Sequence, residues 1–145
     1  ARRNGPLTMA VQRISPKEAA DLQAQGYTYV DVRSAAEFEA GRPASSVNIP
    51  IFHRTGMQMS PNPEFLAALK AAFPAGSKFV LGCQGGNRSM RAAEMLAAEG
   101  YADVIEQRAG FGGSQTEAGW ANAGLPVESG PAPGRDWESM RKKSG

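Results

Sequence analysis

Four short runs rich in β-branched or apolar residues alternate along this chain with segments that open on helix N-terminal signals. The runs are 27–33 (YTYVDVR), 46–51 (SVNIPI), 78–82 (KFVLG) and 102–107 (ADVIEQ). Ahead of the first, Ser15-Pro16-Lys17-Glu18 has the form of a capping box with proline at the first helical position. It predicts a helix to about Gln25, stopped by Gly26. Ser34 and Glu37 repeat the capping-box spacing over a short helix ending near Gly41. Asn62-Pro63 predicts a helix through EFLAALKAAF, closed by Pro74 and Gly76. Residues 88–100 predict another, with Ala93, Leu96, Ala97 and Gly100 on one face and Arg91 and Glu94 turned away. WANAG (120–124) reads as a last short helix before LPVE, while 53–63 and 110–119 read as loops. Strands separated by helices call for crossover connections. The expected fold is therefore α/β, a single domain with a mostly parallel sheet flanked by helices on both faces.

Composition narrows the class. A length of 145 residues suits one domain and buries a core without disulfides or a structural metal. Apolar residues at 41% and charged residues at 21% place the chain with globular rather than disordered proteins. A net charge of +2 gives no case for nucleic acid, and Arg141-Lys142-Lys143 reads as a solvated basic end. No apolar run approaches the roughly 18 residues of a membrane span, so neither nucleic acid nor membrane is an expected partner. One cysteine and one histidine cannot build an internal disulfide or a zinc site of the usual Cys/His kind. The start, ARRNGPLTMAVQ, lacks the apolar segment of a secretory signal, and Met9 is a candidate start. A reducing compartment follows as the expectation: the cytoplasm, or an organelle stroma or matrix if the N-terminus is a trimmed leader. The expected division is an N-terminal extension over 1–11, a domain over 12–128 and a tail over 129–145. In that tail Trp137 and Met140, at helical spacing, can dock on the domain.

The sole cysteine lies in GCQGGNRS (82–89), between the run KFVL and the amphipathic segment that follows. A strand, a glycine turn and a helix start place Cys83 at the C-terminal edge of a sheet, where open α/β folds carry their sites. Gly85 and Gly86 allow the backbone N–H groups of Gln84, Asn87, Arg88 and Ser89, with their own, to curl into an anion-binding nest. The helix start and the Arg88 charge add to it, and all three favour a nucleophilic thiolate. The nest would equally hold an anionic substrate. The bland reading, a structural cysteine beside a helix cap, is outweighed by the strand before and the helix after.

These residues resemble the rhodanese-like sulfurtransferases, above all the single-domain members. The resemblance covers about 12–128 and rests on DVRSAAEFEAG (31–41), VNIP (47–50), CQGGNRS (83–89), AAEMLAAEGYADV (92–104) and GW…AGLPVE (119–128). It implies that Cys83 takes a sulfane sulfur from a small sulfur-containing anion of the thiosulfate type. The sulfur then passes to cyanide or a thiol, with no metal or organic cofactor. Protein donors or acceptors are the carrier alternative, for which the GRDWESMRKK tail is the available surface. The dual-specificity phosphatases of similar fold have five residues between cysteine and arginine; here Gln84, Gly85, Gly86 and Asn87 make four, which leaves less room for a phosphate. A Cys-dependent reductase would need a resolving thiol that the chain lacks.

Around this loop, Asp31 and Arg33 match the family's D-x-R. Arg33 and Glu37 are expected as supporting residues, with Arg33 paired to Asp31 or Glu37. Arg88 either touches substrate or shapes the loop. Ser89 is expected to cap the helix rather than bond the sulfur. His53 has no evident partner, and Trp120 is expected in the core, with Phe111 a candidate pocket wall. Gln84 and Asn87 are neutral where some relatives carry charge. The stretch GRPASSVNIP lacks the family's histidine there, which is read as structural drift.

Overall fold

The computed structural model describes residues 11–143. Strand β1 (Val11–Ile14) is followed by helix α1 (Pro16–Ala24), β2 (Thr28–Asp31), α2 (Ala35–Ala40), β3 (Arg42–Pro43) and β4 (Val47–Asn48). Then come β5 (Phe52–Thr55), β6 (Gln58–Pro61), α3 (Phe65–Ala72), β7 (Phe79–Gly82), α4 (Asn87–Ala98) and β8 (Val104–Gln107). A 3₁₀ turn at Ala121–Ala123, β9 (Val127–Glu128) and α5 (Trp137–Arg141) complete the order. Five strands form one sheet in the order β1-β8-β7-β2-β4, and every pairing in it is parallel. Strand β7 is thus the central strand.

Both capping boxes form as the sequence predicts. Ser15 Oγ accepts from the Glu18 N–H at 3.1 Å while the Glu18 carboxylate accepts from the Ser15 N–H at 2.8 Å. Ser34 and Glu37 do the same at the start of α2. The strands alternate their faces as a period of two requires. Val30 and Leu81 point to one side, where they meet Phe65 and Leu69 of α3, Leu96 of α4 and Trp137 and Met140 of α5. Tyr29 and Val80 point to the other, where they meet Ala19 of α1 and Trp120. Helices therefore cover both faces. Trp120 is fully buried, edge-on to Tyr29 at 5.3 Å, and its indole N–H donates to the Pro126 carbonyl.

Four readings change. The segment 53–63, expected as a loop, forms the antiparallel hairpin β5–β6, turning at Gly56 with φ +61°. Its strands are mostly exposed, so they carry no apolar alternation for a sequence reading to find. No signal in the sequence marks strand β1, which pairs with β8 at the sheet edge. The α3 helix begins at Phe65, because Asn62 forms a turn instead. Its Oδ1 accepts from the Glu64 N–H and its Nδ2 donates to the Pro50 carbonyl. The long helix starts at Asn87 and ends at Ala98, one residue earlier and two residues short of the expected 88–100.

The tail packs. Trp137 and Met140 are 8% and 2% exposed within the larger core cluster, and Asp136 caps α5 by accepting from the Ser139 N–H. Arg42, itself buried, donates to Glu128 and to the carbonyls of Phe38, Gly130 and Pro131, and Arg135 closes on the same Glu128. Of the N-terminal extension expected over 1–11, residues 1–10 lie outside the described residues, and Val11 belongs to β1. Among the described residues no helix is long and apolar enough to cross a membrane.

Candidate active site

The chain leaves β7 at Gly82 and reaches Cys83 at the C-terminal edge of the sheet, as the strand–turn–helix pattern requires. Cys83 is buried, at 2% exposure. The loop Gln84-Gly85-Gly86 turns the chain so that the Gly86 N–H donates to Cys83 Sγ at 3.1 Å. Gly86 has φ +95°, and a Cβ there would meet the Arg108 carbonyl oxygen at 2.3 Å, so the turn requires glycine on both counts. Gln84 and Asn87 are exposed, and Gly85 is open to solvent with nothing near its missing side chain.

A second segment clamps the loop from outside. The Phe111 N–H donates to the Cys83 carbonyl at 2.7 Å and the Gly112 N–H to the Gln84 carbonyl at 3.0 Å. The buried Gln107 amide holds that segment. Its oxygen accepts from the N–H groups of Ala109 and Gly110, and its nitrogen donates to the Gly110 carbonyl and to the Tyr29 hydroxyl.

Charged groups around the loop come in pairs. Arg33 lies buried on Asp31, with Nη2 2.7 Å from Oδ2. Its Nη1 donates to Gln84 Oε1 at 3.0 Å, and its guanidinium stacks over Phe111 at 4.6 Å. Of the two partners expected for Arg33, the structure takes Asp31. Arg88 makes a two-point bond to Glu37, at 2.8 and 3.0 Å, and so ties α4 to α2. Arg33 and Glu37 thus both reach the loop, one through Gln84 and one through Arg88.

Burial alone would push the Glu37 carboxyl up. Hydrogen bonds from Arg88 and from the Ser34 N–H outweigh it and hold the group at about 2. A carboxyl held below its unfolded value of about 4.3 adds stability above that value and loses it as pH falls toward 2. Glu37→Gln is accordingly expected to flatten the fall in urea midpoint between pH 5 and pH 3. The wild-type pair contributes about 1 kcal/mol to that fall once solvent screening is allowed for. An equal fall in both proteins would mean the pair is not coupled to folding.

Ser89 departs from its expected role. The residue at the helix N-cap is Gly86, and Ser89 lies fully buried inside α4. Its Oγ is 3.3 Å from Cys83 Sγ, and it is also hydrogen-bonded to Glu106 Oε2. Glu106 in turn accepts from Arg13 Nε at 2.7 Å. Neither Arg13 nor Glu106 was expected at the site. They lie 93 residues apart and meet only because β1 and β8 pair. The available signal was a carboxylate and an amide, Glu106-Gln107, closing an otherwise apolar strand run. His53 sits in the hairpin with its ring 5.9 Å from Trp137, and Trp120 is core, as expected.

Residues 15–116 match the family model described as the rhodanese-like domain. The chain is 33% identical over 116 residues to Thiosulfate sulfurtransferase 16, chloroplastic, of Arabidopsis thaliana, covering 80% of this chain and 92% of that protein. It is also 33% identical to the senescence-associated protein DIN1 of Raphanus sativus, over 76% of this chain and 57% of that one. The crystal structure of Rv0390 from M. tuberculosis superimposes with a TM-score of 0.68 at 28% identity, covering 81% of this chain and 97% of that chain. The chain belongs to the rhodanese-like domain family.

Proposed function

We propose that this rhodanese-like chain is a sulfurtransferase that carries a sulfane sulfur as a Cys83 persulfide. The observation that carries the reading is the position of the sole cysteine. It directly follows the central strand, four residues separate it from Arg88, and the Gly86 N–H is aimed at its sulfur. The name of the Arabidopsis relative, a thiosulfate sulfurtransferase, supports the same class.

The reaction runs in two halves. The Cys83 thiolate attacks the outer sulfur of a thiosulfate-type anion; the S–S bond breaks and sulfite leaves with the bonding pair. The persulfide anion is met by the Gly86 N–H and by the dipole of α4, in the manner of an oxyanion hole. Cyanide or a thiol then attacks the outer sulfur and releases Cys83 as thiolate. In this reading Gln84, Gly85, Gly86, Asn87, Arg88 and Ser89 form the substrate loop, and Arg33 and Glu37 support it. The reaction itself draws on no metal or organic cofactor. A reducing compartment, cytoplasm or organelle interior, would keep the lone thiol available.

Intact-protein mass spectrometry before and after thiosulfate tests this. The expected result is a gain of one sulfur atom that cyanide removes and that Cys83→Ser abolishes completely. A gain only with mercaptopyruvate or a protein persulfide would move the donor class and keep the persulfide. No gain with any of these donors on folded protein would overturn the reading.

A further inference from the structure

Cys83 Sγ, Ser89 Oγ and Glu106 Oε2 form a buried line, with Ser89 and Glu106 both fully shielded from solvent. Ser89 has one hydroxyl hydrogen and makes two hydrogen-bonded contacts. A thiolate and a carboxylate can each only accept. The line therefore keeps both bonds only if one further hydrogen sits at one of its ends, on sulfur or on Glu106. With the hydrogen on sulfur, Cys83 S–H donates to Ser89 and Ser89 donates to the Glu106 carboxylate. With it on Glu106, the acid donates to Ser89 and Ser89 donates to the thiolate.

We propose that Cys83 and Glu106 share one proton through Ser89, so that Glu106 is the internal store for the proton the thiol gives up. The transfer balances: the S–H bond breaks, Ser89 Oγ takes that hydrogen and passes its own to Glu106 Oε2. Thiol plus carboxylate becomes thiolate plus carboxylic acid, and one negative charge moves from Glu106 to sulfur. Glu106 does not touch the reacting sulfur, so it is a positioning residue acting through Ser89.

The surroundings suit a single mobile charge. Arg13 of β1 bonds Glu106 Oε1, leaving Oε2 to Ser89, and also reaches the Gly86 carbonyl at 3.4 Å. Its guanidinium is held charged by the hydrogen bond to Glu106, against the opposing effect of burial, and it feels Cys83 as well. It is the counter-ion for either position of the charge. Two further cations by the loop are matched already: Arg33, which bonds Gln84, by Asp31 on β2, and Arg88 of α4, which feels Cys83, by Glu37 of α2. The Tyr29 phenol of β2 is pushed far above its ordinary value by burial and stays neutral. A permanently charged Glu106 on the floor of a loop built for an anion would oppose the persulfide. A shared proton removes that conflict.

The proposal deepens the persulfide reading but is tested apart from it, on the thiol alone. The rate of Cys83 alkylation by iodoacetamide is followed against pH by intact mass. Two groups sharing a proton titrate as a pair, so the wild type should show two inflections. Glu106→Gln keeps an acceptor for Ser89 but cannot take a proton, and should show one. A single inflection in the wild type, unchanged in Glu106→Gln, would overturn the proposal.

Should that variant not fold, infrared difference spectroscopy of the wild type decides. Alkylation removes the thiolate, so a protonated-carboxyl band should disappear when Cys83 is capped; no change in that region would overturn the proposal. Two inflections in a protein that takes no sulfur from any donor would leave the shared proton standing and remove the transferase reading.

Discussion

A chain ended at Glu128 is expected to lose most of its stability. The segment beyond that point carries Trp137 and Met140 into the larger core cluster. Truncating a buried Trp costs about 3–5 kcal/mol and a buried Met about 2–5 kcal/mol. A domain of this size has about 5–15 kcal/mol in total. The loss reaches further than two side chains. Arg42 would keep Glu128 and the Phe38 carbonyl but lose the carbonyls of Gly130 and Pro131, and Glu128 would lose Arg135. Each hydrogen bond lost at these charged groups adds to the cost. The N–H of Asn48 on edge strand β4 would also lose the Arg135 carbonyl at 2.8 Å.

Urea unfolding of the shortened chain beside full-length protein checks this, with Trp137→Ala as the milder variant, expected to fall by about 3–5 kcal/mol. An unchanged midpoint in the shortened chain would mean the tail merely rests on the domain. The result bears on the carrier alternative. A tail that served only to dock a protein donor could be removed at no cost to turnover of a small donor. With Trp137 and Met140 in the core, transfer from thiosulfate and from a protein persulfide should fall together.

Local signals were legible in the sequence because their physics is local. Ser15 with Glu18, and Ser34 with Glu37, each satisfy helix-end N–H groups within one turn, and both boxes form. Cys83 could be placed because an apolar run, glycines and an amphipathic segment fix a strand–turn–helix without reference to the rest of the chain. What stayed hidden depends on pairing at long range. Strand β1 exists because β8 offers it an edge, and strands β3 and β9, two residues each, exist only as partners of one another. Hairpin β5–β6 is solvated along most of its length and leaves no periodic trace.

The same division runs through the site. Glu37 was recognisable as a capping residue, but its bond to Arg88 spans 51 residues. Serine after a glycine turn favours a helix cap, which is the expectation for Ser89 from sequence alone. In the structure Gly86 takes the N-cap, so α4 begins at Asn87 and Ser89 falls within the helix, facing the sulfur and Glu106.

Gly110→Ala should slow loading of Cys83 by about 10²-fold, the scale on which an ångström of misplacement acts in a catalytic site. The reason lies in the clamp. Gly110 has φ +73°, and a Cβ there would stand 2.3 Å from the Gln84 carbonyl oxygen and 2.7 Å from that of Cys83. Those atoms are backbone and cannot swing aside as the end of a side chain could. Either the cysteine loop moves or segment 110–112 withdraws, and withdrawal gives up the bonds from Phe111 to Cys83 and from Gly112 to Gln84. Both outcomes turn the Gly86 N–H away from the sulfur line that β7 sets. Left-handed strain by itself has to be separated from the clash. Gly124 provides the control, since its φ is +78° with nothing near its missing Cβ. Gly124→Ala should therefore lower stability by about 1 kcal/mol and leave the loading rate unchanged. Single-turnover persulfide formation, read by mass, compares the two. Equal rates in both variants would mean that the cysteine loop holds its shape without the clamp, and that the Cys83–Gly86 geometry is set by β7 and α4 alone.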